Sequence, residues 1–261
     1  EQITANGVGN GISLIIFAGI VARLPSAVYE LGKLINEQGS QMLVKSVVVL
    51  VMFVAIIAFV VYEQQGERKI PVHYAKRVIG RKMYGGQSMY IPFKINPSGV
   101  IPIIFASSFL TFPLQIASSL GPNVRWLSRV AAVLSPAGLL YNVLLVLLII
   151  FFAYFYASIA FNSKDISENL KKQGGFIPGI RPGEGTASFL NEVASRLTFW
   201  GSIYLGLVTV IPWLLVKFMG VPFYFGGTSV LIVVSVALDT MRRIEAQIYM
   251  NKYQTLSAVG L

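Results

Sequence analysis

From Val47 to Val61 the chain reads VVVLVMFVAIIAFVV, fifteen residues without a charged, polar or helix-breaking member. Crossing a hydrocarbon core of about 30 Å takes about 20 helical residues, each rising about 1.5 Å. With its flanks, residues 42–62, this run has that length. A helix apolar on every side keeps no face for water. The stretch therefore reads as a membrane-spanning helix.

Five further runs share its character, at 12–31, 99–119, 138–161, 197–217 and 225–244. None shows the short alternation of outer-membrane barrel strands. The predicted fold class is all-α: a polytopic α-helical membrane protein with about six transmembrane helices. Composition agrees. Of 261 residues 55% are hydrophobic and 12% charged, against about 25% charged in a soluble domain.

The connections alternate in character. Those at 32–41, 120–137 and 218–224 are modest and nearly neutral, whereas 63–98 and 162–196 are long and polar. The first long connection carries Arg68, Lys69, Lys76, Arg77, Arg81, Lys82 and Lys94. The second carries Lys164, Lys171, Lys172, Arg181 and Arg196. With Arg242, Arg243 and Lys252 in the tail, these are fifteen of the 21 basic residues. The positive-inside rule then puts both long loops and both chain ends in the cytoplasm. Without an initiator methionine, Glu1 is expected to be an internal point of a longer chain.

Chemistry is constrained by what is missing. There is no cysteine and a single histidine, His73, so thiolate catalysis, disulfides and Cys-based metal sites are excluded. Ionisable groups within the runs stay near their ends, as with Arg23 and Asp239. Ion-coupled transporters and intramembrane proteases need carboxylates, histidines or a base inside the bilayer. The expectation is a chain that is not an enzyme, with no metal and no cofactor.

Four segments carry specific signals. Asn6 to Ser13, NGVGNGIS, holds three glycines among five residues, but no strand precedes it and no Lys-Ser/Thr follows. It reads as a packed turn rather than a phosphate cradle. The basic loop 63–98, with Tyr74, Tyr84 and Tyr90 interleaved, suits lipid headgroups, an acidic protein partner or ribosomal RNA. Phe176 to Glu184, FIPGIRPGE, sets Arg181 between two Pro-Gly turns. That arginine either projects for recognition or pairs with Glu184 or a headgroup. Ser107, Thr111 and Gln115 share a face of the third helix with Ser108 beside it, as a packing seam or a water-contacting wall.

Several stretches together resemble the SecY family, the central subunit of the bacterial Sec translocon. They are Gly7-Val8-Gly9-Asn10-Gly11-Ile12-Ser13, the run Asn96 to Ser108 (NPSGVIPIIFASS), Asn169 to Lys172 with Phe176 to Gly183, and Val221 to Ser229 (VPFYFGGTS). They stand in the family's order. The resemblance implies transmembrane helices five to ten of a ten-helix channel fold, divided here into five segments. Residues 1–41 would hold helix five and an external hinge loop, and 42–98 helix six and the basic cytoplasmic loop. Helix seven of the lateral gate and an external loop would fall in 99–137, and helix eight with the GIRPG loop in 138–196. Residues 197–261 would hold helices nine and ten and a cytoplasmic tail.

The same resemblance implies a passive protein-conducting channel of the bacterial plasma membrane, taking unfolded preprotein across and releasing apolar segments into lipid. SecE and SecG would be its companion subunits, with SecA or a translating ribosome as the driver. An apolar pore ring falls on Ile12, Ile16, Ile104 and Ile232. The lateral gate falls on Ser107, Ser108, Thr111, Phe112 and Gln115. Docking of SecA or the ribosome falls on Arg68, Lys69, Lys76, Arg77, Arg81, Lys82 and Arg181. A fragment of a secondary transporter is the alternative, and would need a substrate site between half-helices at mid-bilayer.

Overall fold

A computed structural model describes residues 2, 4, 7, 9, 11–74, 77–79, 82–84, 88–120, 129, 134–136, 138–220 and 226–258. They fall into two compact units, one of Glu1–Val61 with Val208–Leu261 and the other of Tyr62–Leu207. Among the described residues each of the six apolar runs is mostly helical. Four helical stretches among the described residues are long and apolar enough to cross a membrane: Gly11–Glu37, Ser40–Gln65, Leu139–Lys172 and Glu184–Phe218. The apolar part of the third run, Ile101–Ala117, is shorter.

In the first unit, the run expected as one helix over 12–31 is broken in two. Helix α1 covers Gly11–Val21 and α2 covers Leu24–Gln38, with a turn at Ala22 and Arg23. Pro25 in the first turn of α2 is the cause. It lacks an N–H, and its ring crowds the carbonyl four residues back. Arg23 instead closes a tighter turn, its N–H donating to the Ile20 carbonyl at 3.1 Å.

The 32–41 connection is also mostly helix. Helix α2 runs on to Gln38, and Gly39 alone separates it from α3, Ser40–Gln65. Gly39 takes φ +68°, which a side chain would resist. Its N–H caps the Ile35 carbonyl at 3.0 Å. Met42 and Val49 of α3 then bury against Leu31, Leu34 and Ile35 of α2.

The second unit contains what the sequence left as loop. After α3 come β1 (Glu67–Tyr74), β2 (Arg77–Ile79), β3 (Lys82–Tyr84) and β4 (Ser88–Lys94). Helices α4 (Ile101–Leu120) and α5 (Leu139–Ala160) follow, then α6 (Ser163–Lys172), β5 (Gly175–Phe176) and α7 (Glu184–Met219). Strand β1 pairs with β4 from Glu67↔Lys94 to His73↔Ser88, and with β5 at His73↔Phe176 and Tyr74↔Gly175. The sheet order is β4-β1-β5. Pro71 and Pro92 stand two pairs apart, at Pro71↔Tyr90 and Lys69↔Pro92. Both therefore fall in the alternate pairs that exchange no backbone hydrogen bonds, so neither breaks the ladder.

The two long polar connections thus share one sheet and one small core. Ile70, Val72 and Phe93 from the sheet meet Leu170 of α6, Ile177, and Leu190 and Val193 of α7. Helix α7 begins at Glu184, well before the apolar run expected from 197. Its first turns belong to this core.

Back in the first unit, α8 (Gly227–Ala258) opens against α7 at its tightest point. A Cβ on Gly227 would lie 2.3 Å from the Val208 carbonyl and 2.6 Å from the Thr209 Cα. Small residues at helix crossings in membranes let backbones touch this way. Gly227→Val is expected to destabilise the protein by about 3 kcal/mol or more, because backbone cannot retreat as a side-chain tip can. Thermal unfolding in detergent, with Gly32→Val on the open side of α2 as control, reads the difference; no Cβ contact lies within 4 Å of Gly32.

Candidate functional site

Helix α4 shows three different surfaces. One is buried: Ile103, Ala106, Leu110 and Ala117, at helical spacing, are each under a tenth exposed. Helix α4 packs along α5, whose buried residues are Asn142, Leu145, Ile149 and Ala153. The Ser98 hydroxyl ties the entry to α4 onto the Ala153 carbonyl at 3.1 Å. A second surface is aromatic, Phe105 and Phe109 meeting Phe152 at ring separations of 5.8 and 6.3 Å.

The third surface is the polar stripe. Ile104, Ser108, Thr111 and Gln115 advance by four, three and four residues, so they share a face with Ser107 at its edge. Ser107 donates to the Ile104 carbonyl at 3.1 Å and Thr111 to the Ser107 carbonyl at 2.7 Å. Ser108, Thr111, Phe112 and Gln115 are exposed, and Ser107 and Ile104 are half-buried. Phe112 stands 68% exposed, a large apolar ring with no internal role. Pro113 follows immediately, inside the helix. None of the six belongs to the buried row of Ile103, Ala106, Leu110 and Ala117.

The other three isoleucines expected in a pore ring, Ile12, Ile16 and Ile232, lie in the first unit, where α1 packs on α8. Gly9, at φ +98°, sits beside Thr240 and Arg243. Ile232 is buried, Ile16 half-buried and Ile12 exposed at 69%. Ile104 belongs to the second unit.

Of the basic residues, Arg68 and Lys69 lie on the shared sheet. Lys69 shares the outer face of β1 with Pro71 and His73, opposite Ile70 and Val72, while Arg68 lies on the inner face at its open end; both are exposed. Arg77 and Lys82 lie on the β2–β3 ribbon, which pairs Arg77↔Tyr84 and Ile79↔Lys82. Lys76 and Arg81 lie outside the described residues. So do Val221–Phe225 of the glycine-rich motif and Asn6, Val8 and Asn10 of the first one.

Arg181 occupies a built tip. Ile180 donates its N–H to the Ile177 carbonyl at 3.1 Å, and Gly179 at φ +81° follows Pro178. That is a type II turn, which puts proline second and glycine third. Gly183 takes φ +95° after Pro182. Thr186 donates to the Arg181 carbonyl at 3.0 Å and Ser167 to the Gly183 carbonyl at 2.6 Å. The Arg181 side chain is exposed, and no ion pair joins it to Glu184 among the described residues.

One buried acid escaped the sequence reading. Glu63, read as the first residue of a loop, sits in the last turn of α3 at 9% exposure, near Tyr204 of α7. Neither carboxylate oxygen has a hydrogen bond among the described residues. The signal was present: position 63 continues the buried stripe of Met42, Ser46, Val49, Ile56 and Val60 at spacings of three, four and seven. No group of three His, Cys, Asp or Glu side chains suited to a metal occurs among the described residues.

Leu190, fully buried, is the test of the shared core. Leu190→Ala is expected to cost about 2–5 kcal/mol and to quicken tryptic cutting in both polar connections together. Glu192→Ala, which removes an exposed pair with Arg196, changes stability by less than about 1 kcal/mol.

A family model described as SecY matches residues 1–241. The protein translocase subunit SecY of Helicobacter pylori is 58% identical over 260 residues, covering 100% of this chain and 61% of the relative. That of Escherichia coli is 45% identical over 257 residues, covering 98% of this chain and 58% of the relative. A solved SecY structure, whose plug domain is described as stabilising the closed state of the translocation channel, aligns with TM-score 0.66 at 19% identity. It covers 94% of this chain and 61% of that one. A structure described as a protein conducting channel gives 0.63 at 18% identity, covering 94% and 60%. The chain thus spans about three fifths of the length of the relatives it matches.

Proposed function

The chain belongs to the SecY family, and from that premise we propose that it is transmembrane helices five to ten of a channel that conducts unfolded polypeptides through the bacterial plasma membrane. The observation that carries this reading is the similarity to translocase subunits along this whole chain, joined to long apolar helices and a polar face on α4. A conduit for polypeptides of any sequence needs a wall without strong preferences. Isoleucines meet that need, and an apolar waist holds back water and ions by dewetting. Ile12, Ile16, Ile104 and Ile232 form this ring.

The polar face of α4 forms one wall of a lateral gate, through Ser107, Ser108, Thr111, Phe112 and Gln115. A wall that parts must meet lipid in one state and a hydrated path in the other. Small hydroxyls bonded to their own helix suit both, since their polar atoms are already satisfied.

The sheet and the Arg181 tip form the docking face for SecA or a ribosome. Support comes from their shared core: the two basic connections fold as one body and so lie on one side of the membrane. The positive-inside rule makes that side, and both ends of this segment, cytoplasmic. Arg68, Lys69, Lys76, Arg77, Arg81, Lys82 and Arg181 meet acidic protein or RNA there, with SecE and SecG completing the assembly. The chain supplies the passage and hydrolyses nothing; the driver supplies the work.

Electrical recording on the full-length protein in planar bilayers tests the ring. Ile104→Ser with Ile232→Ser is expected to produce ion conductance where the unsubstituted channel is silent. Val47→Ser with Val51→Ser, on exposed positions of α3, should leave it silent. Silence in both would remove the four isoleucines from the waist.

A further inference from the structure

Arg181 stands between two Pro-Gly turns, and its backbone has little freedom of its own. A residue that precedes proline is held near the extended conformation, and Pro182 fixes the next φ. Two hydroxyls then bracket that proline. Thr186 donates to the Arg181 carbonyl at 3.0 Å and Ser167 to the Gly183 carbonyl at 2.6 Å. Thr186 and Ser167 are each 2% exposed, so water does not stand in for either.

The two bonds differ in reach. Thr186 lies five residues from Arg181, in the first turn of α7, so its bond stays within one local segment. Ser167 lies on α6, sixteen residues from Gly183, and ties the tip to a separate element. That element is itself fixed. The Asn162 side chain caps it, accepting the Lys164 and Asp165 N–H groups at 3.2 and 3.4 Å, and Leu170 is buried in the small core. The tie also meets the chain where it is softest. Gly183, at φ +95°, has no side chain to restrict it. Its carbonyl accepts the Ala187 N–H as well, at 3.0 Å, and so opens α7. Without Ser167 the turn is free to rotate against α6, and Arg181 with it.

The surroundings indicate what the guanidinium meets. Beside the tip, α6 and α7 enclose a cleft of about 600 Å³, lined by Lys164 and Lys171 and equally by Glu168 and Glu184. Two acids there repel the closely spaced phosphates of a nucleic acid. A protein surface of mixed charge suits such a cleft, and one of its carboxylates matches the rigid fork of an arginine.

We infer that Ser167 is a positioning residue for Arg181: through the Gly183 carbonyl it holds the tip in the orientation from which the guanidinium reaches a carboxylate of a protein driver. The inference rests on the reading of the tip as a docking point.

The experiment uses the full-length protein with SecE and SecG in proteoliposomes, titrated with SecA while an unfolded preprotein is exported. Ser167→Ala removes one hydroxyl and keeps a good helix former in α6. It is expected to raise the half-saturating SecA concentration about threefold, within the factor that one hydrogen bond carries, and to leave the rate at saturation unchanged. Ser167→Thr keeps the donor, and the cleft has room for its methyl, so it should restore the original value. In an Arg181→Ala background, Ser167→Ala should change nothing further. An equal rise in both backgrounds would overturn the role of Ser167, reducing its bond to support of the fold. No rise where Arg181→Ala alone produces one would do the same. A loss confined to ribosome binding would overturn the choice of a protein carboxylate. Should Arg181→Ala leave half-saturation where it was, the docking reading fails and takes the inference with it, a result distinct from a silent Ser167→Ala.

Discussion

Seven buried side chains hold together two polar connections that are distant in sequence, and much of the molecule's organisation depends on that contact. A two-stranded ribbon such as β1–β4 is marginal alone in water. It gains stability here because Ile70, Val72 and Phe93 present one apolar face to α6 and α7. Gly175 allows the closure: a Cβ there would stand 3.0 Å from the Tyr74 ring and 3.4 Å from Leu170. Once the ribbon is seated, Leu190 and Val193 have a reason to be helical, and α7 starts at Glu184 in place of the membrane border. The Arg181 tip then projects from a body whose backbone is pinned by Thr186 and Ser167.

Within the membrane the constraint changes. Lipid is as apolar as leucine, so helices gain little by hiding aliphatic side chains from it, and close backbone approach takes over. Glycines mark those approaches. At Gly206 a Cβ would meet Val146 of α5 at 3.0 Å, and at Gly201 it would press on the Ile95 carbonyl at 3.3 Å. Gly227 does the same against α7. Wide apolar faces remain on α3, where Val44, Leu50, Val51 and Val54 are each more than half exposed, as befits a surface that meets acyl chains.

The helices were legible because a run such as 47–61 admits one reading in any context. The α4 stripe was legible too, since three polar residues four apart survive in an otherwise apolar background. The sheet was harder. Ile70, Val72 and Tyr74 alternate, as do Met89, Ile91 and Phe93, but each run is short, contains a proline and lies in a field of basic residues. Their pairing closes a loop with no Asn-Gly or Asp-Gly to announce a turn. The break at Pro25 was readable from that residue alone and was masked by the hydropathy around it. Glu63 went unnoticed because an acid after an apolar run looks like the start of water. Periodicity could not have picked out Ile12, Ile16, Ile104 and Ile232 for the proposed ring; dozens of side chains share their chemistry, and the family resemblance alone singled them out.

The early start of α7 has a mechanical side. From Glu184 to Leu207 it is one unbroken rod of about 36 Å, anchored near one end by Leu190 and Val193. A rod of hydrogen-bonded turns does not absorb a sideways push locally; it tilts as a whole. Force applied near the Pro-Gly tip is therefore delivered to Gly201 and Gly206, where the rod touches the β4–α4 junction and α5 backbone-close. A partner that never enters the bilayer can lean on the helices inside it.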